Sequence, residues 1–343
     1  MRTPFLRRAR LRPWVLPLLV VLILACAALA ILAGRYGVSP RQMVGAISAR
    51  MGGGIYPDRK ADSVVFNLRL PRITVAVLIG SGMAVSGAAF QSLFSNPLAT
   101  PDTLGVASGT CVGAVVALLL GWGMSGVQLT ALVAGLVTVA ITTAVARRRD
   151  GGTDVVTLVL AGVIVSAMAD AVLSMLKLTA DPTSKLPEIT YWLMGSLAGA
   201  SWSQIALAAP FIVIGSGVIV ALRWRLNVLA LSEDEARAAG VDVRRLRIVL
   251  IVCATVVTAS VISLCGQVGW IGLIVPHAAR MLTGSDNRYL IPVCLLLGAS
   301  IMIFIDTVAR TITASEVPVS VVTAIVGAPF FITLLRRTGG VQT

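Results

Sequence analysis

Lysine is almost missing from this chain. Three of its 343 residues are lysine, Lys60, Lys177 and Lys185, and none follows a glycine. A P-loop of the form GxxxxGK[ST] is therefore excluded, and with it ATP binding by that route. Histidine occurs once, at His277, so no metal cluster can be built on histidines within one chain. The five cysteines, Cys26, Cys111, Cys253, Cys265 and Cys294, stand in apolar stretches without CxxC spacing. They read as small buried hydrophobes. No HExxH, GxSxG or paired-carboxylate motif appears, which leaves a hydrolase or transferase without residues to run it. Aromatics make up 5% of the chain, too few for an interleaved base-stacking surface. Charge is scarce too: 13% of residues are charged, against roughly 25% in an average soluble protein.

What is abundant is apolar. Hydrophobic residues account for 57% of the chain and the mean hydropathy is +0.92. A soluble enzyme of this length needs more charge to cover its exterior, and disorder needs fewer hydrophobics. The net charge of +13 at first suggests a nucleic-acid binder. However, 25 of the 28 basic residues are arginine, in short clusters between apolar runs. That is the positive-inside pattern of a membrane protein.

Apolar runs of about 20 residues cross a bilayer core of about 30 Å as helices. The uncharged stretches predict ten spans: 14–34, 70–92, 103–120, 127–146, 155–177, 203–222, 247–265, 269–283, 289–310 and 318–335. The long Thr103–Ala146 run breaks at Gly121–Gly126, and the Ile248–Ala279 run at Cys265–Gly269. An even number puts both termini on one side. With that side cytoplasmic, 18 basic residues lie inside and 10 outside. The expected organisation is one all-α polytopic domain, with residues 1–13 as a cytoplasmic N-terminus, 14–335 as a ten-helix bundle and 336–343 as a cytoplasmic C-terminus. Arg2–Arg12 also resembles the start of a signal peptide, but the apolar run is long for that and no cleavage site follows. Gly80, Ala84 and Ala88 recur every four residues, as do Gly105, Gly109 and Gly113. Such stripes let helix backbones approach closely in lipid.

Several segments stand out against this background. Ser232 and Glu235 have capping-box spacing, Glu233 and Asp234 suit a helix N-terminus, and Gly240 suits its end. This inner loop is expected to carry a short helix at about 232–240, either an ordinary solvated helix or a functional one. Arg69, Arg72 and Arg310 fall on the outer side, against the charge bias. They are either headgroup anchors or a basic patch for an acidic partner. Asn96-Pro97 and Pro101 make a rigid inner turn. Gly266 to Arg280 is an irregular helix around Pro276 and His277; a packing histidine is the better reading there. Asp170 and Asp306 lie inside spans, where carboxylates are functional candidates. Asp306 stands one turn before Arg310 and can pair with it, whereas Asp170 has no evident partner.

Taken in order, the motifs are R-L-P-R at 69–72, S-G-A-A-F-Q at 86–91, N-P-L-A-T-P-D-T-L-G at 96–105, L-S-E-D-E-A-R-A-A-G-V at 231–241, G-L-I-V-P-H-A-A-R at 272–280 and T-A-I-V-G-A-P-F-F at 323–331. This series resembles the FecCD-type permease family, the membrane subunits of bacterial ATP-binding-cassette importers for iron-siderophores, haem and vitamin B12. The resemblance covers nearly the whole chain. It implies a ten-helix type II importer subunit in the inner membrane that dimerises, with itself or a paralogue, around a central path. Two cytoplasmic ATPase subunits would dock below, holding the ATP and magnesium that this chain does not. A periplasmic or lipid-anchored binding protein would dock above and deliver a metal chelate, with an iron-siderophore as the default. No catalytic residue, metal ligand or nucleic-acid partner is implied.

The site residues follow from the same resemblance. Arg69, Arg72 and Arg310 match the family arginines that meet acidic residues of the binding protein. Ser232, Glu233, Asp234, Glu235, Ala236, Arg237, Ala238, Ala239, Gly240 and Val241 match the coupling helix that enters the ATPase. Asn96, Pro97 and Leu98 match the turn of the cytoplasmic gate, with the loop Gly152–Thr157 beside it. Two departures stand near the outer mouth: Ser320 where the family usually has Gly, and Trp270 where Phe is common. A different class remains as an alternative, an ion-coupled secondary transporter using Asp170 and Asp306.

Overall fold

The computed structural model describes residues 6–7, 10–34, 36–50, 59–147, 155–231, 233–238, 240–313 and 315–338. Thirteen helices run through them: α1 (Val15–Leu32), α2 (Pro40–Arg50), α3 (Arg59–Leu93), α4 (Val106–Leu119), α5 (Met124–Val145), α6 (Val155–Thr179), α7 (Lys185–Leu193), α8 (Trp202–Leu222), α9 (Glu233–Ala238), α10 (Val243–Cys265), α11 (Ile271–Thr283), α12 (Asn287–Thr311) and α13 (Val319–Thr338). A two-residue antiparallel ladder, Leu6–Arg7 with Arg10–Leu11, precedes α1. Each of the ten expected spans is present as a helix.

Seven of these helices are long and apolar enough to cross a membrane; Val106–Leu119, Ile271–Thr283 and Val319–Phe330 are shorter apolar stretches. At 1.5 Å per residue, a 14-residue helix such as α4 spans about 21 Å, short of a bilayer core of about 30 Å. Irregular backbone makes up the difference, and it must be buried in protein. The 3-10 turn Pro101–Leu104 before α4 meets this requirement. Its Thr103 carbonyl sits where a side chain on Gly162 of α6 would have to go, at 1.9 Å.

Two differences from the sequence reading concern polar helices. α2 and α7 lie outside the apolar runs that the hydropathy count detects. α3 begins eleven residues before Leu70, at Arg59, because Arg59, Lys60, Asp62, Asn67 and Arg69 hide its first turns from that count. Its Val64–Arg69 segment is a π-helical stretch, which widens the turn leading into the arginine cluster.

α3 is the centre of the bundle and packs against α8, α10, α11 and α12. In its most apolar window 78% of residues are buried, against 22% in α6. Both small-residue stripes act as expected. In the first stripe a Cβ on Gly80 would meet the Gly298 carbonyl of α12 at 2.1 Å, and one on Gly298 would come within 2.7 Å of the Ala84 Cβ; outside that stripe, a Cβ on Gly87 would meet the Gly272 carbonyl of α11 at 1.9 Å. In the second stripe, Gly109 faces Thr138 and Gly113 faces the Thr130 carbonyl, both on α5.

Candidate functional site

Three regions hold the residues singled out by sequence. The first is the arginine cluster at the ends of α1, α3 and α12. α1 ends without a capping side chain of its own, so its last carbonyls need donors. Arg69 is buried and donates to the carbonyls of Ile31 and Tyr36; Arg310 donates to the carbonyl of Ala30. Two cations thus close the negative end of α1, where the helix dipole favours them. Arg72 takes a different role. Its Nε donates to both Asp306 oxygens at 2.9 Å, its Nη2 to Oδ1 at 2.8 Å, and its Nη1 to Glu316 Oε1 at 2.9 Å.

Arg72 and Asp306 are both nearly buried, with side-chain exposures of 12% and 4%. The expected Asp306–Arg310 pair exists only as a longer contact of 3.9 Å; Arg72 is the principal partner. Sequence spacing could not reveal this, because the two residues lie on different helices. Glu316, which completes the cluster, was not singled out by sequence. The structure therefore brings Arg69, Arg72 and Arg310 together but gives each an internal partner instead of a free guanidinium.

The second region is the loop helix α9. Ser232 and Ala239, and the side chains of Glu233, Asp234 and Arg237, lie outside the described residues, so the capping box is not described. The helix observed is Glu233–Ala238. Its exit is as expected: Gly240 takes φ +74°, and the Val241 N–H reaches back to the Ala236 carbonyl at 3.1 Å. This is a Schellman-type closure that glycine permits at no steric cost. Ala236 is fully buried, and Glu235 and Ala238 face solvent.

The third region is the turn after α3. Asn96 Oδ1 accepts from the Leu98 N–H at 2.9 Å, and its carbonyl from the Ala99 N–H at 3.1 Å. This Asx turn holds Pro97 and leaves Leu98 exposed. A polar chain that the sequence did not reveal connects the last turn of α3 to the 3-10 turn that precedes α9. Asn227, on the 3-10 turn before α9, donates Nδ2 to Asp286 Oδ1 at 2.7 Å and accepts from the Asn287 N–H at 2.9 Å. The Ser92 hydroxyl, at the end of α3, contacts Asn287 Oδ1 at 3.1 Å. Asp286 also caps α12 and binds Arg288. Burial raises its pKa, but the Arg288 N–H, the Asn227 amide and the Arg288 guanidinium outweigh burial and hold it below the ordinary value. No motif marks this link; the only local signal was the capping pattern Asp286-Asn287.

The other candidates resolve simply. His277 packs edge-on against Phe330 at 6.1 Å, as a packing histidine does. Asp170 is exposed on α6. Among the described residues, no group of three His, Cys, Asp or Glu could hold a metal. The loop 152–154 lies outside the described residues, and α6 starts at Val155.

These features define a class: a multi-pass helical membrane protein with a short loop helix closed by Gly240, and with the turn before that helix tied by side chains to the end of the central helix. The model of the FecCD transport family matches residues 19–337, and the chain belongs to that family. It is a permease subunit of an ATP-binding-cassette importer. It is 35% identical over 319 residues to the molybdate import system permease protein MolB of Haemophilus influenzae, covering 93% of this chain and 94% of that one. It is 43% identical over 277 residues to the cobalamin import system permease protein BtuC of Halobacterium salinarum, covering 80% and 74%. A solved inward-facing structure of a metal-chelate type ABC transporter matches with a TM-score of 0.86 and 34% identity, over 95% of this chain and 100% of that one.

Proposed function

We propose that this subunit forms half of a translocation path for an iron-siderophore-type metal chelate. In this reading a second permease subunit supplies the other half. Two cytoplasmic ATPase subunits, which carry the ATP and magnesium, drive the cycle, and a periplasmic or lipid-anchored binding protein delivers the cargo. Both termini lie in the cytoplasm. Residues 232–241 form the ATPase coupling element, and Asn96, Pro97 and Leu98 line the cytoplasmic gate. Arg69, Arg72 and Arg310 receive the binding protein, whose carboxylates then compete with Asp306 and Glu316 for Arg72.

The observation that carries this reading is the Asn227–Asp286–Asn287–Ser92 chain. It links the 3-10 turn that precedes α9 to the start of α12 and to the last turn of α3, next to the turn at 96–98. An ion-coupled carrier has no use for such a link, and its candidate Asp306 is already neutralised by Arg72. A second reading keeps the importer role with another cargo, haem, cobalamin or molybdate. It is favoured by the length of the match to the molybdate permease.

Two experiments test the proposal. The complex purified with its binding protein should yield a bound metal chelate by mass spectrometry; recovery of molybdate or cobalamin alone would replace the cargo. Glu235→Arg and a Gly240 substitution should each abolish ATP-driven uptake while the subunit stays in the membrane. Normal uptake by both variants would remove the coupling role.

A further inference from the structure

A cavity of about 430 Å³ opens between the end of α6, α7, the 266–270 loop and the start of α13. That volume lies in the usual range for ligand pockets. Its polar lining is Lys177, Thr190, Gln267 and Ser320, with the indole of Trp270 beside them. The two positions that depart from the family pattern, Trp270 and Ser320, therefore meet in one place.

The walls are built rather than incidental. The Met194 carbonyl accepts from the Ser320 hydroxyl at 2.6 Å, and the Gly195 carbonyl from the Val319 N–H at 3.0 Å. The Cys265 carbonyl accepts from the Ser196 N–H at 2.9 Å. These bonds stitch the segment after α7 to the end of α10 and the start of α13. Trp270 takes φ +68°, a conformation unfavourable for a bulky residue. Its ring presses on α13, where a side chain on Gly327 would come within 2.9 Å of it. Strain held by surrounding structure is a mark of functional sites.

Lys177 is half-buried, and its ammonium makes no hydrogen bond or ion pair with another described side chain. An ammonium drawn partly out of water without a counter-ion is costly, and an anion entering the cavity removes that cost. Around it stand the Gln267 amide and an aromatic face, while the Thr190 and Ser320 hydroxyls already donate to the carbonyls of Leu186 and Met194. Together they suit an anionic, oxygen-rich group carried on a larger ring-bearing body. We infer that this cavity is a cargo-contact site in which Lys177 receives an anionic oxygen of a metal chelate and Trp270 packs on its ligand framework. The inference rests on the importer reading and narrows it: the cargo carries negative charge. A small oxyanion offers Lys177 the same chemistry but leaves most of the cavity unfilled.

The test uses the complete complex in proteoliposomes, with three probes: iron(III) tris-catecholate, which is anionic, an uncharged iron(III) trihydroxamate, and molybdate. Uptake of the anionic over the uncharged chelate should fall about tenfold in Lys177→Glu, a loss of about 1.4 kcal/mol, and recover in Lys177→Arg. Taking the ratio separates a lost contact from a damaged fold. Lys185→Gln, at a lysine already paired with Glu188, is the control and should leave the ratio unchanged. Tris-catecholate should also quench tryptophan fluorescence of the wild-type complex, and less so in Trp270→Phe. An unchanged ratio in Lys177→Glu, or wild-type uptake of the uncharged chelate alone, overturns the site while leaving the importer reading intact. Uptake of molybdate alone, lost in Lys177→Glu, keeps the anion contact and replaces the chelate as its source. Failure of every probe with an active ATPase overturns both the chelate reading and the site.

Discussion

Arg72 and Asp306 lie 234 residues apart and share three hydrogen bonds of 2.8–2.9 Å. The pair ties the start of the membrane stretch of α3 to the end of α12. A buried pair adds little net stability over an apolar substitute, but removing one partner strands the other.

Because Arg72 keeps Glu316, Asp306→Ala should lower stability by less than the roughly 3–5 kcal/mol of a fully stranded charge. The double variant Arg72→Met/Asp306→Ala should recover a substantial part of that loss. Thermal unfolding in detergent is the measurement. A double variant as unstable as the sum of the two single changes would show that the residues are not coupled.

Gly87→Val should prevent folding or nearly so. Its first added carbon meets backbone of α11, not a side chain that could rotate away, and overpacking of this kind costs upward of about 1–3 kcal/mol. Gly37→Val is the contrast, because nothing lies within 4 Å of a Cβ there. Yields of monodisperse protein should separate the two variants clearly.

Asn227→Ala should slow transport more than it destabilises the subunit. It removes one side chain from a solvent-accessible end of the bundle, at a cost of about 1–3 kcal/mol for bonds to a charged group. It also cuts the link from the turn before α9 to the end of α3. The expected sign is ATPase activity that no longer rises when loaded binding protein is added. A normal rise would show that the coupling runs elsewhere.

Asp286 supplies a pH test. Its carboxyl is held below the ordinary value, which is about 3.9 for a free aspartate. A depressed folded-state pKa gives stability that is fully present above the unfolded value and is lost as pH falls through the folded one. The stability gap between wild type and Asp286→Asn should thus be constant from about pH 7 to pH 5 and close below about pH 3.9. A gap that persists into stronger acid would mean that the charge on Asp286 contributes nothing.

The ten apolar helices were legible because they coincide with long uncharged runs, although only seven are long enough to cross a membrane. The loop helix α9 was legible through its charged first turn and Gly240, and the turn after α3 through Asn96-Pro97. Polar helices such as α2 and α7 were not, since the rule that finds spans discards them. The fate of the arginines was hidden for another reason. Arg72, Asp306 and Glu316 meet only after three separate segments have packed, and no local spacing encodes that meeting. The same holds for Lys177, which in the sequence marked only the lack of a nucleotide site.

The glycine contacts of α3 have a mechanical meaning. Where Gly80 and Gly87 touch the backbones of α12 and α11, no rotamer is available to absorb sliding. Those three helices form one stiff block. α4 and α5 meet through backbone at Gly113, where a Cβ would come within 2.4 Å of the Thr130 carbonyl. Gly82 of α3 faces side chains of α10, with Val257 at 3.0 Å, and Gly135 of α5 faces Ala259 of α10 at 3.0 Å. Contacts made through side chains can shear where backbone contacts cannot. At Gly82 and Gly135, α10 thus meets its neighbours through side chains, where α11 and α12 meet α3 through backbone.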